Sequence, residues 1–187
     1  AAGEKLRLAQ YDVSNAFTQA KMDDVDLFVE PARGFEEFEI IGDKRRSKVL
    51  HLLRALYGTK QASRLWQDTL RKALLEIGFI QSTADPCIYR WRRADGQTII
   101  LGVYVDDIIL AYSNESIHKE FQDKFCKRFT ARYEGDLRWF LGMAIDQAKD
   151  YSIGLDADGR FANLAFFGVF RQFCCENAHV ACAHLAA

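Results

Sequence analysis

The chain has 187 residues, 49% of them hydrophobic and 13% aromatic, which is enough for a sizeable core and excludes wholesale disorder. Its formal net charge of −1 at pH 7 lacks the basic excess that usually marks a nucleic-acid-binding domain. Five cysteines in a chain of this length do not predict a disulfide framework, so a reducing compartment is expected.

The N-terminal half of the chain predicts strands followed by one long helix. The first strand ends near Asp12, where the alternation of apolar residues stops. A charged stretch at residues 36–48 is expected to form a loop, and the helix stops at Gly78. The predicted elements are strands at residues 6–13 and 27–30, a short apolar segment at 49–53 and a helix at 61–77.

The C-terminal half alternates strands with helices. The dipeptide Asp95-Gly96, which is typical of hairpin turns, separates the first two strands. A tight hairpin among interleaved helices favours an α+β fold, an antiparallel sheet with helices on one face, over a doubly wound parallel sheet. The predicted elements are strands at residues 87–91, 98–105, 108–112 and 140–145 and helices at 114–129 and 161–173.

Two adjacent acids, Asp106 and Asp107, follow Tyr104 and Val105 between two apolar strands. Burying both carboxylates costs free energy unless something compensates, and a divalent metal ion is a common solution. Successive strand residues point to opposite faces, so the two acids have different roles unless the turn re-aims one of them. A solvated hairpin turn is the alternative interpretation.

A third acid, Asp12, lies at a strand end among apolar neighbours, where on its own an ordinary structural role is the stronger interpretation. With Asp106 and Asp107 it forms a candidate site for Mg²⁺, which prefers oxygen ligands and is commonly completed by substrate phosphates. Two such ions about 4 Å apart would activate an attacking hydroxyl and stabilise a leaving oxygen in phosphoryl transfer.

A group of cysteines and histidines near the C-terminus is a weaker candidate for a metal site. Its spacing matches no standard zinc finger or knuckle, so an incidental cluster is the preferred interpretation. The members are Cys174, Cys175, His179, Cys182 and His184.

Six segments, in matching order and spacing over residues 5–147, resemble the motifs of reverse transcriptases from the Pol polyproteins of copia-type (Pseudoviridae) retrotransposons. Asp12 lies in the first segment, and Asp106 and Asp107 form the end of the fifth. Beyond residue 147 the resemblance weakens. The segments are residues 10–17, 28–35, 56–66, 85–89, 104–107 and 137–145.

The resemblance implies a right-hand polymerase palm with partial fingers over residues 1–147 and a degenerate connection or thumb-like segment over residues 148–187. The implied activity is RNA-directed DNA polymerisation, in which a primer 3′-hydroxyl attacks the α-phosphate of a deoxynucleoside triphosphate. Two Mg²⁺ ions, with Mn²⁺ as an alternative, would serve as cofactors. Asp12 and Asp106 would bind both ions, and Asp107 would assist.

The resemblance also implies contacts with the nucleotide and the primer. Phe17 would lie under the sugar of the incoming nucleotide, and Tyr57 and Gly58 would pack near the nucleotide and the template. The implied nucleotide-binding residues are Val13, Phe17, Tyr57, Gly58, Lys60 and Gln61. The implied primer-contacting residues are Phe140, Leu141 and Gly142.

Partners and location follow from the same resemblance. An RNA template, a DNA or RNA primer and deoxynucleoside triphosphates are the expected substrates, and the integrase and RNase H of the Pol polyprotein are the expected partners. Even the longest apolar runs, such as residues 99–105, are too short to span a bilayer, so no membrane association is expected. Location in cytoplasmic virus-like particles or the nucleus is expected.

The sequence departs from the family pattern at Thr59, where an apolar residue is common, and at Ser63, where proline is usual. The fingers segment that precedes the first motif in the family, with the basic residues expected to hold the triphosphate, is also missing. Neither Thr59 nor Ser63 removes a catalytic group. Because of the missing fingers and the weak resemblance of the C-terminal segment, a catalytically inert or decayed fragment that at most binds nucleic acid is the alternative function.

Overall fold

The computed structural model describes residues 5–22, 26–41, 44–141 and 143–156. The helix predicted at residues 161–173 and the cysteine and histidine group at residues 174–184 lie outside these ranges. The elements in chain order are β1 (Arg7–Val13), α1 (Ala16–Gln19), β2 (Phe28–Val29), β3 (Phe38–Ile41), β4 (Lys44–Ser47), β5 (Leu50–His51), α2 (Ala62–Ile77), β6 (Ile80–Gln81), β7 (Ile88–Arg92), β8 (Thr98–Tyr104), β9 (Asp107–Tyr112), α3 (Glu115–Arg128), β10 (Ala131–Asp136), β11 (Trp139–Phe140), β12 (Met143–Gln147) and β13 (Ile153–Asp156).

The described residues divide into two compact units, one within residues 1–14 and 71–187 and the other within residues 15–70. This division does not test the functional boundary predicted after residue 147, which stays a prediction. Among the described residues, no helix is both long enough and apolar enough to cross a membrane.

The first unit is built on a six-stranded antiparallel sheet with the strand order β10-β1-β9-β8-β7-β6. α3 lies against this sheet through a buried stripe of Ile117, Phe121 and Phe125. The Phe121 ring meets the ring of Tyr11 in β1 edge to face, with 5.6 Å between the ring centroids. A large antiparallel sheet that carries a helix agrees with the predicted mixed fold, and the palm and fingers remain a prediction.

A three-stranded sheet of β11, β12 and β13 also belongs to the first unit. The single strand predicted at residues 140–145 is wrong, because β11 ends at Phe140 and β12 begins at Met143. The chain reverses at Leu141, whose φ of +49° is left-handed, and hydrophobicity does not signal such a reversal. Phe140 belongs to the same buried core as Leu8 of β1.

The second unit contains α1, the strand pairs β2–β5 and β3–β4, and the first part of α2. The β3–β4 hairpin corrects the loop predicted at residues 36–48. Glu39 faces Arg46 across this hairpin, and opposite charges in such a pair are stabilising. Sequence patterning missed the hairpin because Phe38 is 45% exposed and Ile40 is 78% exposed, so no buried face is marked by apolar residues.

Candidate active site

Asp12 and Asp107 lie directly opposite each other on β1 and β9. Opposite residues of an antiparallel pair share one face of the sheet, with Cβ atoms about 4.5–5.5 Å apart. The ladder continues into the turn, because the Val13 N–H donates to the Asp106 carbonyl oxygen at 2.9 Å. Three half-buried acids from distant sequence segments are thus brought to one end of the β1–β9 pair.

The turn that carries Asp106 has a strained backbone. Tyr104 pairs with Asp107, which leaves only Val105 and Asp106 in the loop. Val105 has a φ of +57°, an outlier for a β-branched residue, and two-residue hairpin loops favour glycine, asparagine or aspartate at positions of positive φ. Such strain costs about 1–3 kcal/mol and is concentrated at functional sites. The loop takes Asp106 out of the strand alternation, so its side chain need not point away from that of Asp107.

The pKa of the Asp107 carboxyl group is raised above its ordinary value of 3.8. Partial burial is the largest cause, and repulsion from Asp106 and Asp12 follows. The Gln10 side chain opposes this rise through a hydrogen bond that favours the ionised carboxylate, whereas Glu134 adds a further upward contribution. The acids are therefore close enough to repel one another, and a cation bound among them would relieve that repulsion.

The donor chemistry of Asp12, Asp106 and Asp107 fits Mg²⁺, because carboxylate oxygens are the ligands that this hard cation prefers. In the part of the chain that the structure describes, no three His, Cys, Asp or Glu side chains are gathered into a group that could hold a metal ion. The three carboxylates would therefore have to reorient by side-chain rotation in order to share an ion.

β10 adds residues beside the acids that the sequence motifs did not indicate. Arg132 lies opposite Asp12, and its Nε donates to the Glu134 carboxylate. The register shifts after Gln10, so Glu134 is the extra residue of a β-bulge, and the adjacent Gly135 has a φ of +94°. Bulges re-aim side chains and are common next to active sites. Only the two-residue spacing of Gln10 from Asp12, which places both on one face of β1, could have been read from the sequence.

The predicted nucleotide-binding residues are divided between the two units. Val13 belongs to the first unit, where its side chain is 1% exposed and its N–H is used in the β1–β9 ladder, so neither is open to a ligand. In the second unit the rings of Phe17 and Tyr57 are in contact, with 4.6 Å between their centroids. Tyr57 is 50% exposed, and Gly58 has a φ of +90°. The remaining members precede α2: exposed Lys60 and half-buried Gln61.

The predicted primer-contacting residues lie at the β11–β12 hairpin. Phe140 is 1% exposed, and Leu141 packs against the same core. Gly142 is outside the described residues. Trp139, which is 56% exposed, is presented to solvent instead. A primer contact at this hairpin would therefore involve Trp139 or the backbone rather than the Phe140 ring.

The comparisons with known proteins agree with one another. The sequence model of the family described as reverse transcriptase (RNA-dependent DNA polymerase) matches residues 1–158. The chain is 35% identical over 153 residues to the retrovirus-related Pol polyprotein from transposon RE1 of Arabidopsis thaliana, and 34% identical over 154 residues to that from transposon RE2 of the same plant. It is 30% identical over 145 residues to the Pol polyprotein from transposon TNT 1-94 of Nicotiana tabacum. These matches cover 82%, 82% and 78% of this chain but 10% of each relative, so the chain spans a small part of those proteins.

Proposed function

The chain belongs to the reverse transcriptase (RNA-dependent DNA polymerase) family, and we propose that it forms the catalytic centre of an RNA-directed DNA polymerase. Its relatives are Pol polyproteins of copia-type retrotransposons, as the sequence motifs predicted. The observation that carries the proposal is the register of β1 and β9, in which Asp12 lies opposite Asp107 beside the turn that holds Asp106.

We assign the metal-binding role to Asp12 and Asp106, which would hold two Mg²⁺ ions or, as an alternative, Mn²⁺, with Asp107 assisting. Ions held there would activate the primer 3′-hydroxyl and stabilise the leaving oxygen. The hydroxyl would lose its proton to water, its oxygen would form a bond to the α-phosphorus, and the bond from that phosphorus to the departing pyrophosphate would break. The contribution of the protein is positioning and charge stabilisation, through the β1–β9 ladder and the constrained turn at Val105.

The aromatic pair of Phe17 and Tyr57 would contact the incoming nucleotide. A bulky ring against the 2′ position excludes a 2′-hydroxyl by collision and so selects deoxynucleotides. The space at Gly58 is open, because a Cβ added there would meet no atom within 4 Å. This open surface next to the exposed Tyr57 would accommodate the nucleotide and the template. Lys60 and Gln61 would provide polar contacts.

We further propose that residues 1–147 form a palm with partial fingers and that residues 148–187 form a degenerate connection or thumb-like segment. The β11–β12 hairpin would hold the primer end. The substrates would be an RNA template, a DNA or RNA primer and deoxynucleoside triphosphates. The integrase and RNase H of the same polyprotein would be the partners, in cytoplasmic virus-like particles or the nucleus.

One observation favours a different function, namely a catalytically inert fragment that at most binds nucleic acid. The described ranges contain no ready group of metal ligands. The intact trio of Asp12, Asp106 and Asp107 favours the polymerase, because a protein without a cation to bind gains nothing from carboxylates that repel one another.

Primer extension separates the two functions. In the intact Pol polyprotein, Asp106→Asn keeps the side-chain shape but removes its charge, and should reduce extension at least about 100-fold, the usual cost of losing one group that stabilises transition-state charge. Asp95→Asn is the matched control, because Asp95 also lies in a hairpin turn of the six-stranded sheet, where it accepts from the Gln97 N–H at 3.0 Å. Extension near the wild-type rate by the Asp106→Asn protein in Mg²⁺ contradicts the polymerase assignment.

A further inference from the structure

Among the described residues, β10 is an edge strand of the six-stranded sheet, because it pairs with β1 on one side only. Its six residues are half-buried or exposed, and Tyr133 is 38% exposed. α3 packs on the sheet near β10 but leaves an open groove, which is lined by Cys126 and Lys127 of α3 and by Tyr133. In this part of the chain, the outer side of β10 is therefore open to another strand.

The backbone of Tyr133 points to this outer side. The Ser14 N–H donates to the Thr130 carbonyl oxygen at 3.0 Å, so the backbone carbonyl of Thr130 faces β1. Successive strand residues direct their N–H and C=O groups to opposite sides, so those of Arg132 also face β1 and those of Tyr133 face away from it. Directly opposed residues of an antiparallel pair can exchange two hydrogen bonds, which makes Tyr133 a suitable centre for pairing with an identical strand.

The charges that flank Tyr133 are self-complementary. Arg132 and Glu134 are both exposed, and they share one face of β10, because the Nε of Arg132 donates to the Glu134 carboxylate. When two antiparallel copies of β10 pair with Tyr133 opposite Tyr133, Arg132 of each copy lies opposite Glu134 of the other. Opposite charges in directly opposed positions stabilise a pair of strands, and so do aromatic rings that face each other, as the two Tyr133 rings would.

Charges and bulges on an edge strand commonly prevent pairing with other chains. Here the charges favour an identical strand in this register, and the bulge at Glu134 restricts the pairing to the residues around Tyr133. We propose that β10 is a self-association surface, through which two copies of the chain form a symmetric dimer by antiparallel pairing centred on Tyr133. The same residues serve both copies, and the small extent of the interface makes the dimer weak and reversible. Because Arg132 lies opposite Asp12 on β1, the dimer places a second copy beside the candidate active site.

Sedimentation velocity of the full chain over a series of concentrations tests the proposal, at low ionic strength because salt screens exposed charges. The wild type should show a reversible monomer–dimer equilibrium. Arg132→Glu and Glu134→Arg each oppose like charges across the dimer, and each should raise the dimer Kd at least about 10-fold. An equimolar mixture of these two variants should recover the dimer, because each copy then meets the opposite charge. Arg92→Glu is the matched control, since it makes the same charge change at the exposed end of β7, away from β10, and should leave the Kd unchanged.

Two further variants keep the test decisive if a single charge reversal prevents folding. Arg132→Glu combined with Glu134→Arg preserves the ion pair within each strand and should dimerise like the wild type. Tyr133→Pro removes the outward N–H, which the β1–β10 ladder does not use, and should abolish the dimer. A wild-type chain that stays monomeric at every concentration overturns the proposal, and so does a mixture or a double variant that stays monomeric. Dimers that persist unchanged in Tyr133→Pro or in the single charge variants also overturn it, because another surface then holds them together.

Discussion

Replacement of Val105 by glycine tests the strain in the turn that carries Asp106. Val105 has a φ of +57° as the first residue of the two-residue loop. Glycine adopts this conformation without steric cost, so Val105→Gly should recover strain of about 1–3 kcal/mol. Against this gain, glycine costs about 0.5–1 kcal/mol in conformational entropy. Val105 is 41% exposed, so removing its side chain forfeits about half of the roughly 1.5 kcal/mol that a fully buried valine contributes.

Val103→Gly is the matched control for these opposing contributions. Val103 is a half-buried valine in β8 that pairs with Ile108 in regular strand geometry. The entropy and side-chain contributions are similar at the two positions, but no strain is relieved at Val103. The free energy of unfolding of Val105→Gly should therefore exceed that of Val103→Gly by about 1–3 kcal/mol. Urea denaturation measures the difference, and equal losses of stability in the two variants would refute the strain argument.

The same variant separates stability from activity. Glycine allows the loop more conformations, so Asp106 is held less firmly and primer extension by Val105→Gly should fall. A misplacement of about 1 Å can cost about 100-fold in rate. Unchanged extension together with recovered strain energy would show that the strain has no part in catalysis.

Three further predictions concern other candidate residues. Phe17→Val should raise the use of ribonucleotides relative to deoxynucleotides, measured as the ratio of their kcat/KM values; an unchanged ratio with a stability loss of about 1–4 kcal/mol would make Phe17 a packing residue only. Asp107→Asn should raise the Tm at neutral pH, because the raised pKa of Asp107 means that folding favours its protonated form. The stability that the protonated Asp107 contributes is fully present below the ordinary pKa of 3.8, and it is lost as the pH rises through the pKa of the folded state. A Tm that the substitution lowers at neutral pH would contradict a raised pKa at Asp107. Gly135→Ala should lower the free energy of unfolding by about 1 kcal/mol or more, because alanine is disfavoured at left-handed φ. An unchanged free energy of unfolding in urea denaturation would mean that the bulge accepts a side chain at residue 135 without strain.

Hydrophobic periodicity located the elements that bury one face. The helices predicted at residues 61–77 and 114–129 correspond closely to α2 and α3, and the apolar runs around the adjacent acids correspond to β8 and β9. The same reasoning missed β10 and the β3–β4 hairpin. Most side chains of β10 are exposed, as are Phe38 and Ile40, so these strands form by pairing with a neighbour rather than by burial and leave no apolar signature.

The sequence by itself determined the family and the candidate acids, because ordered motifs of particular side chains are read directly along the chain. Only the tertiary structure decided that Asp12 lies opposite Asp107, that Gln10 lies on the same face of the sheet as both, and that a bulge adds Glu134 to the neighbouring strand β10. Strand register depends on hydrogen bonds between segments that are distant in sequence, and a shift of one residue would turn every side chain of a strand to the opposite face. No local pattern in β1, β9 or β10 contains that information, so the neighbours of each acid become known only when the strands are paired.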